Sequence, residues 1–207
     1  MHSSYVLYGR EGGGSMAPQF VLEELGLPYR MEWLPGPLSP EQTAAYLPIC
    51  PTGKIPALVL LDGSPVFESA AICIHLTDLD GTGRLAPPRG TSEHARFLQW
   101  MLFLSASLYD SILRFYYASR YTLADDAGGV KEVALTEFEA HLALLESRVS
   151  DYVLVSGFSA ADLYLYMLAG WHPDGYDGIR QKFPKIAALC TTVGARSAVK
   201  KVMGQNS

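Results

Sequence analysis

Apolar residues in the first third of the chain alternate between strand-like and helix-like spacing. Tyr5 to Tyr8 and Tyr29 to Leu34 are short apolar runs, and between them apolar residues recur with helical spacing from Met16 to Leu25. Gly26 and Pro28 are signals that end this helix. The pattern therefore predicts a βαβ unit.

The pattern then changes to a hairpin followed by a helix. Apolar residues from Ala57 to Leu61 lead into Asp62-Gly63, a dipeptide typical of tight hairpin turns, and a short Val66-Phe67 strand follows. A helix is predicted from Ala70 to about Asp78. No strand pattern follows, so the predicted sheet belongs to residues 1 to 79.

The remainder of the chain is predicted to be helical. Residues 80 to 90 are rich in glycine and proline, and they predict a linker between a domain at residues 1 to 79 and an all-helical domain at residues 91 to 207. Helical spacing from Glu93 to Ala118 predicts a helix about 39 Å long. Its wide apolar face indicates burial on two sides, one of them against a sheet domain or a second subunit. The other predicted helices are Val130 to Val149, Ala160 to Trp171, Pro184 to Cys190 and Ser197 to Met203.

Composition and charge narrow the function classes. The 207 residues are 49% hydrophobic and carry a net charge of −5, with a pI near 5.5, which favours a well-filled core. The absence of a basic cluster argues against nucleic acid or an anionic membrane as a partner. The longest uncharged apolar run, Phe97 to Tyr109, is too short to span a bilayer. The N-terminus carries no secretory pattern, so we expect a cytoplasmic location.

Cysteine and histidine spacing indicates neither a metal site nor a disulfide framework. Cys50, Cys73 and Cys190 form no C-x-x-C pair, and the five histidines form no H-x-x-H or H-E-x-x-H pattern. We therefore predict no metal, and an odd number of cysteines fits a reducing compartment.

A capping box precedes one of the predicted helices. Ser159 stands three residues before Asp162, and Phe158 and Leu163 occupy the positions of a hydrophobic staple. We interpret Asp162 as a structural residue rather than a catalytic one.

The glycine-rich loop after the first strand has three interpretations. Gly12, Gly14 and Ala17 fit the G-x-G-x-x-A spacing of a dinucleotide site. That interpretation fails because the sheet ends near residue 67, which leaves no second mononucleotide half. The second interpretation is structural, with Ser15 as the N-cap of the helix.

The third interpretation of this loop is an anion site at the start of the helix, where Ser15 and free backbone N–H groups face a thiolate. Pro18 falls at the third helical position and has no N–H, so one of the two usual capping bonds to Ser15 is impossible. The Ser15 hydroxyl is then freer to serve a ligand.

The stretch from Pro51 to Ser69, PTGKIPALVLLDGSPVFES, combines three features that bind backbone. Ile55 precedes a proline and is biased toward extended backbone, Asp62-Gly63 makes a hairpin turn, and Ser69 is placed to cap the helix from Ala70. Such a stretch can hold a peptide ligand.

With these motifs the chain resembles the cytosolic glutathione S-transferases. The resemblance rests on CPTGKIPAL, on VFESAAICIHL, on the proline-rich linker and on SAAD, in family order and spacing. It implies an α/β thioredoxin-like N-terminal domain plus an all-α C-terminal helical bundle, the GST fold. It also implies glutathione as co-substrate and a homodimer.

The resemblance also assigns glutathione-binding residues. Pro56 would be a cis-proline that exposes the N–H and C=O of Ile55 to the cysteinyl part of glutathione as a short added strand. Glu68 would lie near the γ-glutamyl amine, and Ser69 would hold the γ-glutamyl carboxylate. Lys54 would serve the glycyl carboxylate, or it is a solvated lysine.

The first loop is most similar to that of bacterial beta-type members, but it departs from them. Gly14, Ser15, Met16 and Ala17 occupy the places of a cysteine, a serine, an apolar residue and an alanine, so the cysteine is missing. A hydroxyl from Ser15, or alternatively from Tyr8, is left to stabilise the sulfur. Tyr8 is otherwise an ordinary aromatic residue at a strand end.

The resemblance implies an acceptor pocket lined by Tyr109, Tyr164 and Trp171, although aromatics at helical spacing are also typical of a core. The expected reaction is conjugation of the glutathione thiolate to a hydrophobic electrophile. Isomerisation, dehalogenation or ether cleavage with glutathione is an alternative on the same fold. A binding or adaptor protein without catalysis is the alternative from a different class.

Overall fold

The computed structural model describes residues 3–123 and 127–206. It divides into two compact units, one formed by the chain up to Ala86 together with the part from Gly194 onward, and one formed by Pro87–Val193. No helix in the described ranges is both long enough and apolar enough to cross a membrane.

The first unit carries a four-stranded mixed sheet. Its elements are β1 (Tyr5–Gly9), α1 (Met16–Leu25), β2 (Tyr29–Trp33), α2 (Pro40–Tyr46), β3 (Ala57–Val59), β4 (Pro65–Phe67) and α3 (Ser69–Leu79). The strand order is β2-β1-β3-β4, with β1 parallel to β2 and the other two pairs antiparallel. The predicted βαβ unit, the hairpin and the helix after it are all confirmed.

The second unit is helical. Its elements are α4 (Ser92–Phe103), a π-helical segment (Leu104–Leu108), α5 (Tyr109–Tyr116), a short 3₁₀ turn (Ala118–Arg120), α6 (Ala127–Glu146), α7 (Ala160–Gly170), α8 (Gly175–Lys182) and α9 (Pro184–Gly194). Together with the sheet unit, these helices confirm the predicted fold class.

The predicted long helix has an internal irregularity. The chain is helical from Ser92 to Tyr116, but the Tyr109 N–H bonds to the carbonyl of Leu104, five residues back, rather than four. A π turn inserts one extra residue and so changes the direction of every side chain that follows it. Leu104 and Leu108 are fully buried.

Two helices were not predicted. The first, α2, begins with a capping box in which the Ser39 hydroxyl accepts from the Gln42 N–H and the Gln42 side chain accepts from the Ser39 N–H. The second is α8, whose first turn contains Gly175 and Gly178. Both are short and carry few apolar residues, so their periodicity is weak.

The capping box at the start of α7 is confirmed. The Ser159 hydroxyl accepts from the Ala161 N–H at 3.3 Å, and the Asp162 carboxylate accepts from the Ser159 N–H at 2.7 Å and from the Val153 N–H at 2.8 Å. Burial raises the pKa of Asp162 to about 6, while these hydrogen bonds act in the opposite direction.

The last helix, α10 (Ser197–Gln205), lies in the first unit, whereas the sequence analysis placed its residues with the helical domain. It contacts α1 through ion pairs: Arg196 Nε lies 2.5 Å from Glu24 Oε1, and Lys201 Nζ lies 2.8 Å from a Glu23 carboxylate oxygen. Such long-range pairs leave no local sequence pattern.

Candidate functional site

The segment before β3, Lys54 to Pro56, is called the cis-proline segment here, and it has backbone groups without a hydrogen-bond partner among the described residues. The Ile55-Pro56 peptide bond is cis, as the resemblance implied, and Pro56 is buried. Within residues 3–123 and 127–206, neither the Ile55 N–H nor its C=O is hydrogen-bonded. An extended ligand with its own N–H and C=O matches these groups by adding a short strand.

Side chains from α2 and β1 support this segment. The Tyr46 hydroxyl donates to the Lys54 carbonyl at 2.8 Å, and the Tyr46 ring lies 5.5 Å from the Tyr8 ring. Burial raises the pKa of the Tyr46 phenol, so the hydroxyl keeps its proton and remains a donor. The Lys54 side chain itself is exposed.

The start of α3 differs from the sequence-based expectation. Ser69 is the first helical residue, and the N-cap is Glu68, which makes no side-chain capping bond. Glu68 has φ 72° and ψ 109°, a conformation that a residue with a Cβ rarely adopts. Strained backbone conformations cluster at ligand sites. The N-terminus of a helix also attracts anions, so the two features occur together here.

The sheet brings these two segments together. Ala57 of β3 lies opposite Phe67 of β4, so Pro56 and Glu68, one residue beyond this pair on each strand, adjoin each other. Tyr8 of β1 lies opposite Ala57 on the other side. Five of the predicted site residues therefore gather at one end of the sheet: Tyr8, Ile55, Pro56, Glu68 and Ser69.

The glycine-rich loop uses the Ser15 hydroxyl internally. Ser15 is fully buried, and its Oγ donates to the Arg10 carbonyl and accepts from the Arg10 N–H, both at 3.2 Å. It makes no capping bond to α1. Its single proton is therefore engaged within the loop, and a Cβ on Gly9 would lie only 2.4 Å from this Oγ.

The loop also contacts the cis-proline segment. A Cβ built on Gly13 would lie 3.0 Å from the Ile55 Cδ1 atom and 3.0 Å from the Arg10 carbonyl oxygen. Only glycine permits this close approach without a shift of its neighbours. Gly13 is therefore the point at which the loop and the cis-proline segment meet.

Tyr8 is half-buried at the end of β1. In the part of the chain that the structure describes, its phenol makes no hydrogen bond, so the hydroxyl is geometrically available. The Tyr8 hydroxyl is thus open to a ligand, whereas the Ser15 hydroxyl is bonded within its own loop.

Sequence reasoning overlooked Arg10. Its Nη2 donates to the Pro35 carbonyl at 3.0 Å, and its Nε approaches the Leu34 carbonyl at 3.5 Å. The available signal was its position, since it directly follows the strand that ends beside the cis-proline segment. A charged residue at that position is a candidate for contact with a ligand.

The three aromatic residues predicted for an acceptor pocket lie together in the second unit. The Tyr109 ring is 5.1 Å from Trp171 in an edge-to-face arrangement and 6.4 Å from Tyr164. Tyr164 is only 1% exposed and belongs to the core, while Tyr109 and Trp171 are half-buried. The Tyr116 hydroxyl donates to the Trp171 carbonyl at 2.8 Å and fixes the end of α7.

The described residues include neither a cluster of metal-ligating side chains nor an exposed cysteine. Among the described residues, no three His, Cys, Asp or Glu side chains are grouped so as to hold a metal. The three cysteines are free and buried. Burial raises the pKa of the Cys73 thiol, and it raises that of Cys190 to about 12, so neither thiol is activated.

Comparison with known proteins agrees with this architecture. Residues 15–79 match the family described as glutathione S-transferase, N-terminal domain. The uncharacterized GST-like protein YncG of Escherichia coli (strain K12) is 26% identical over 207 residues, which covers 97% of each chain.

Two solved structures are similar over nearly the whole length. A bacterial beta class glutathione S-transferase from Sphingomonas chungbukensis has a TM-score of 0.82 at 25% identity, with 98% of both chains covered. A glutathione transferase homolog from sulfitobacter, with bound glutathione, has a TM-score of 0.86 at 25% identity and the same coverage.

A mixed sheet with a cis-proline segment, combined with a separate helical unit, defines a thioredoxin-like protein with an all-helical extension. Residues 15–79 belong to the glutathione S-transferase N-terminal domain family, and the whole chain has the fold of the glutathione S-transferases.

Proposed function

We propose that this protein is a glutathione transferase that joins the sulfur of glutathione to a hydrophobic electrophile. The observation that carries the proposal is the open backbone of Ile55 beside the strained Glu68, at the start of α3. Ile55 offers backbone groups that can bind a peptide, and the start of α3 can bind an anion. The two lie side by side, because Pro56 and Glu68 are neighbours across β3 and β4.

Each predicted binding residue then has a role on glutathione. Ile55 pairs with the cysteinyl backbone, which Pro56 keeps accessible. Glu68 binds the γ-glutamyl amine, and Ser69 with the first amides of α3 binds the γ-glutamyl carboxylate. The exposed Lys54 side chain serves the glycyl carboxylate. The similar sulfitobacter structure with bound glutathione supports glutathione as the ligand.

The chemistry requires a thiolate at neutral pH. A free cysteine thiol has a pKa near 8.5, so the site must favour the anion by about 2 units, or roughly 2.7 kcal/mol. The thiol proton passes to water, the sulfur lone pair attacks the electrophile, and the leaving group departs or a double bond accepts the electrons. These steps, as written, do not require a metal.

Tyr109 and Trp171, with Tyr164 behind them, are proposed to hold the electrophile. Aromatic faces and edges suit an apolar acceptor. The π turn before Tyr109 determines which way its ring points. Isomerisation, dehalogenation or ether cleavage would use the same thiolate with a different acceptor.

We also propose a cytoplasmic homodimer. Phe67 of the edge strand β4 is 38% exposed, and Leu61 in the hairpin turn is 37% exposed. On α4, Leu102 is 59% exposed. A second copy of the chain would cover such apolar side chains, and light scattering at micromolar concentration tests this directly.

Ser69→Ala tests the binding role. Loss of a hydrogen bond to a carboxylate costs about 1.5–3 kcal/mol, so glutathione should bind roughly 10- to 150-fold more weakly by calorimetry. Ser197→Ala is the matched control, because Ser197 is also the first residue of a helix in the same unit and is exposed. Equal affinities of the two variants would contradict the assignment.

Activity is measured with an aryl halide such as 1-chloro-2,4-dinitrobenzene and with an unsaturated carbonyl compound. Conjugate formation with either supports the transferase. Tight glutathione binding without turnover of any electrophile would instead support the binding or adaptor protein.

A further inference from the structure

Arg10 places a positive charge in the glycine-rich loop. Its guanidinium contacts the carbonyls of Leu34 and Pro35, which are neutral, and among the described residues no carboxylate pairs with it. Two carbonyl acceptors fix the orientation of a planar guanidinium but do not cancel its charge. Its remaining N–H donors are available to an anion.

The backbone of Arg10 is held by Ser15. The buried hydroxyl bridges both the N–H and the C=O of Arg10, and the Arg10 carbonyl also accepts from the Gly13 N–H at 3.0 Å. Ser15 therefore acts on the position of Arg10 and has no second proton to donate to a sulfur.

The charge lies near the place where the cysteinyl part of glutathione would bind. The Gly13 N–H donates to the Arg10 carbonyl, and a Cβ on Gly13 would lie 3.0 Å from the Ile55 Cδ1 atom. The Arg10 charge also acts on the Tyr46 phenol, where it opposes the pKa increase caused mainly by burial, and this phenol bonds to the carbonyl of Lys54. The guanidinium also approaches the carbonyl of Leu34, and Leu34 packs in the same apolar cluster as Tyr46 and Ile55.

From this geometry we infer that Arg10 is the group that stabilises the glutathione thiolate, and that Ser15 is a positioning residue for it. The inference rests on the proposed function. When the bound thiol ionises, its proton goes to water, and the sulfur keeps the electron pair beside the guanidinium. An opposite charge within about 4–6 Å lowers an acidic pKa by about 1–3 units.

Other ionisable groups near the loop do not replace Arg10. Glu11 is exposed and opposes anion formation by its charge, and Cys50 is buried against Thr52. Tyr8 and Tyr46 are neutral donors rather than cations. Lys54 is the other cation of this segment, and its proposed partner is the glycyl carboxylate.

The test is the pKa of glutathione bound to each variant, measured by thiolate absorbance against pH. In Arg10→Gln we expect this pKa to rise by about 1 unit, and kcat/KM well below that pKa to fall about tenfold. Arg10→Lys should retain part of the shift, and Ser15→Ala should raise the pKa by less than Arg10→Gln. Affinity for S-methylglutathione, which has no thiol, should stay within about twofold in Arg10→Gln.

Two further variants separate the possible causes. Arg30→Gln removes an exposed arginine that is paired with Glu32 on β2, and it should leave the thiol pKa unchanged. Lys54→Gln should weaken S-methylglutathione binding without a change in thiol pKa. Circular dichroism confirms that Ser15→Ala, a change at a buried position, is folded.

Three outcomes would overturn the inference. If Arg10→Gln weakens S-methylglutathione binding and leaves the thiol pKa unchanged, Arg10 holds a carboxylate. If only folded Ser15→Ala or Tyr8→Phe raises the thiol pKa, a hydroxyl is the activating group. If glutathione bound to the wild type has an unshifted thiol pKa, the proposed function itself is wrong. This outcome differs from the other two, in which the wild type does lower the thiol pKa.

Discussion

The cis-proline segment and the glycine-rich loop meet at one end of the sheet, but they use their polar groups in opposite ways. The segment leaves the Ile55 N–H and C=O unbonded among the described residues, and Glu68 keeps a strained backbone at the start of α3. The loop engages the Ser15 hydroxyl and the Gly13 N–H within itself. In the proposed function, the segment holds glutathione and the loop holds the charge that stabilises its sulfur.

The largest effect is expected from a change at the contact between the two regions. In Gly13→Val, the new side chain would push against the Arg10 carbonyl and the Ile55 side chain, both 3.0 Å from the Cβ position. Overpacking costs about 1–3 kcal/mol, and separation of the two regions should lower kcat/KM at least tenfold. Thermal unfolding and steady-state kinetics measure the two consequences.

Gly204→Val is the control for this substitution, since a Cβ there would meet no atom within 4 Å. A Gly13→Val enzyme with the kinetics of Gly204→Val would show that the two regions act independently.

A second substitution separates strain from binding. Glu68→Gly removes the side chain that disfavours φ 72°, so the protein should become more stable by about 1 kcal/mol in urea unfolding. The same change removes the carboxylate proposed for the γ-glutamyl amine, so glutathione affinity should fall about tenfold. Stability and affinity that fall together would mean that the Glu68 conformation is not strained.

The smallest effect is a pH dependence outside both regions. The pKa of Asp162 is raised to about 6 by burial, so the folded carboxyl binds its proton more tightly than the unfolded one. Its contribution to stability is therefore complete below about pH 4 and is lost as pH rises through about 6. Urea unfolding should show a decrease of about 1 kcal/mol from pH 5 to pH 7.

Asp162→Asn serves as the matched variant for this pH dependence. It should be less stable throughout, because a buried acceptor is lost, and it should lack this slope. Glutathione affinity should not follow the slope in either protein. An identical slope in wild type and variant would assign the titration to another group.

The sequence predicted the elements that rest on local chemistry. The strand and helix periods, the hairpin dipeptide and the Ser159-Asp162 capping box each have their cause within a few residues, and each is present in the structure. The motifs around Ile55 and Glu68 are also local, and strand pairing brings the two motifs together at one end of the sheet. Helix α2 also had a local signal in its capping box, but its few apolar residues hid it.

The remaining features depend on contacts that no short pattern encodes. The hydroxyl of Ser15 closes a loop five residues back, and Arg10 reaches carbonyls of the loop after β2. The π turn before Tyr109 depends on the packing of the long helix, which leaves its periodicity in the sequence almost unchanged. The C-terminal helix is held in the first unit by the Arg196–Glu24 pair.

The most direct test of the ligand-binding segment is amide hydrogen exchange of Ile55 by NMR, with and without S-methylglutathione. The account predicts that the Ile55 amide exchanges rapidly in the free protein and is strongly protected in the complex, because the ligand supplies its missing acceptor. The Gly13 amide, already bonded to the Arg10 carbonyl, should change little. Saturating ligand without protection of Ile55 would contradict the account.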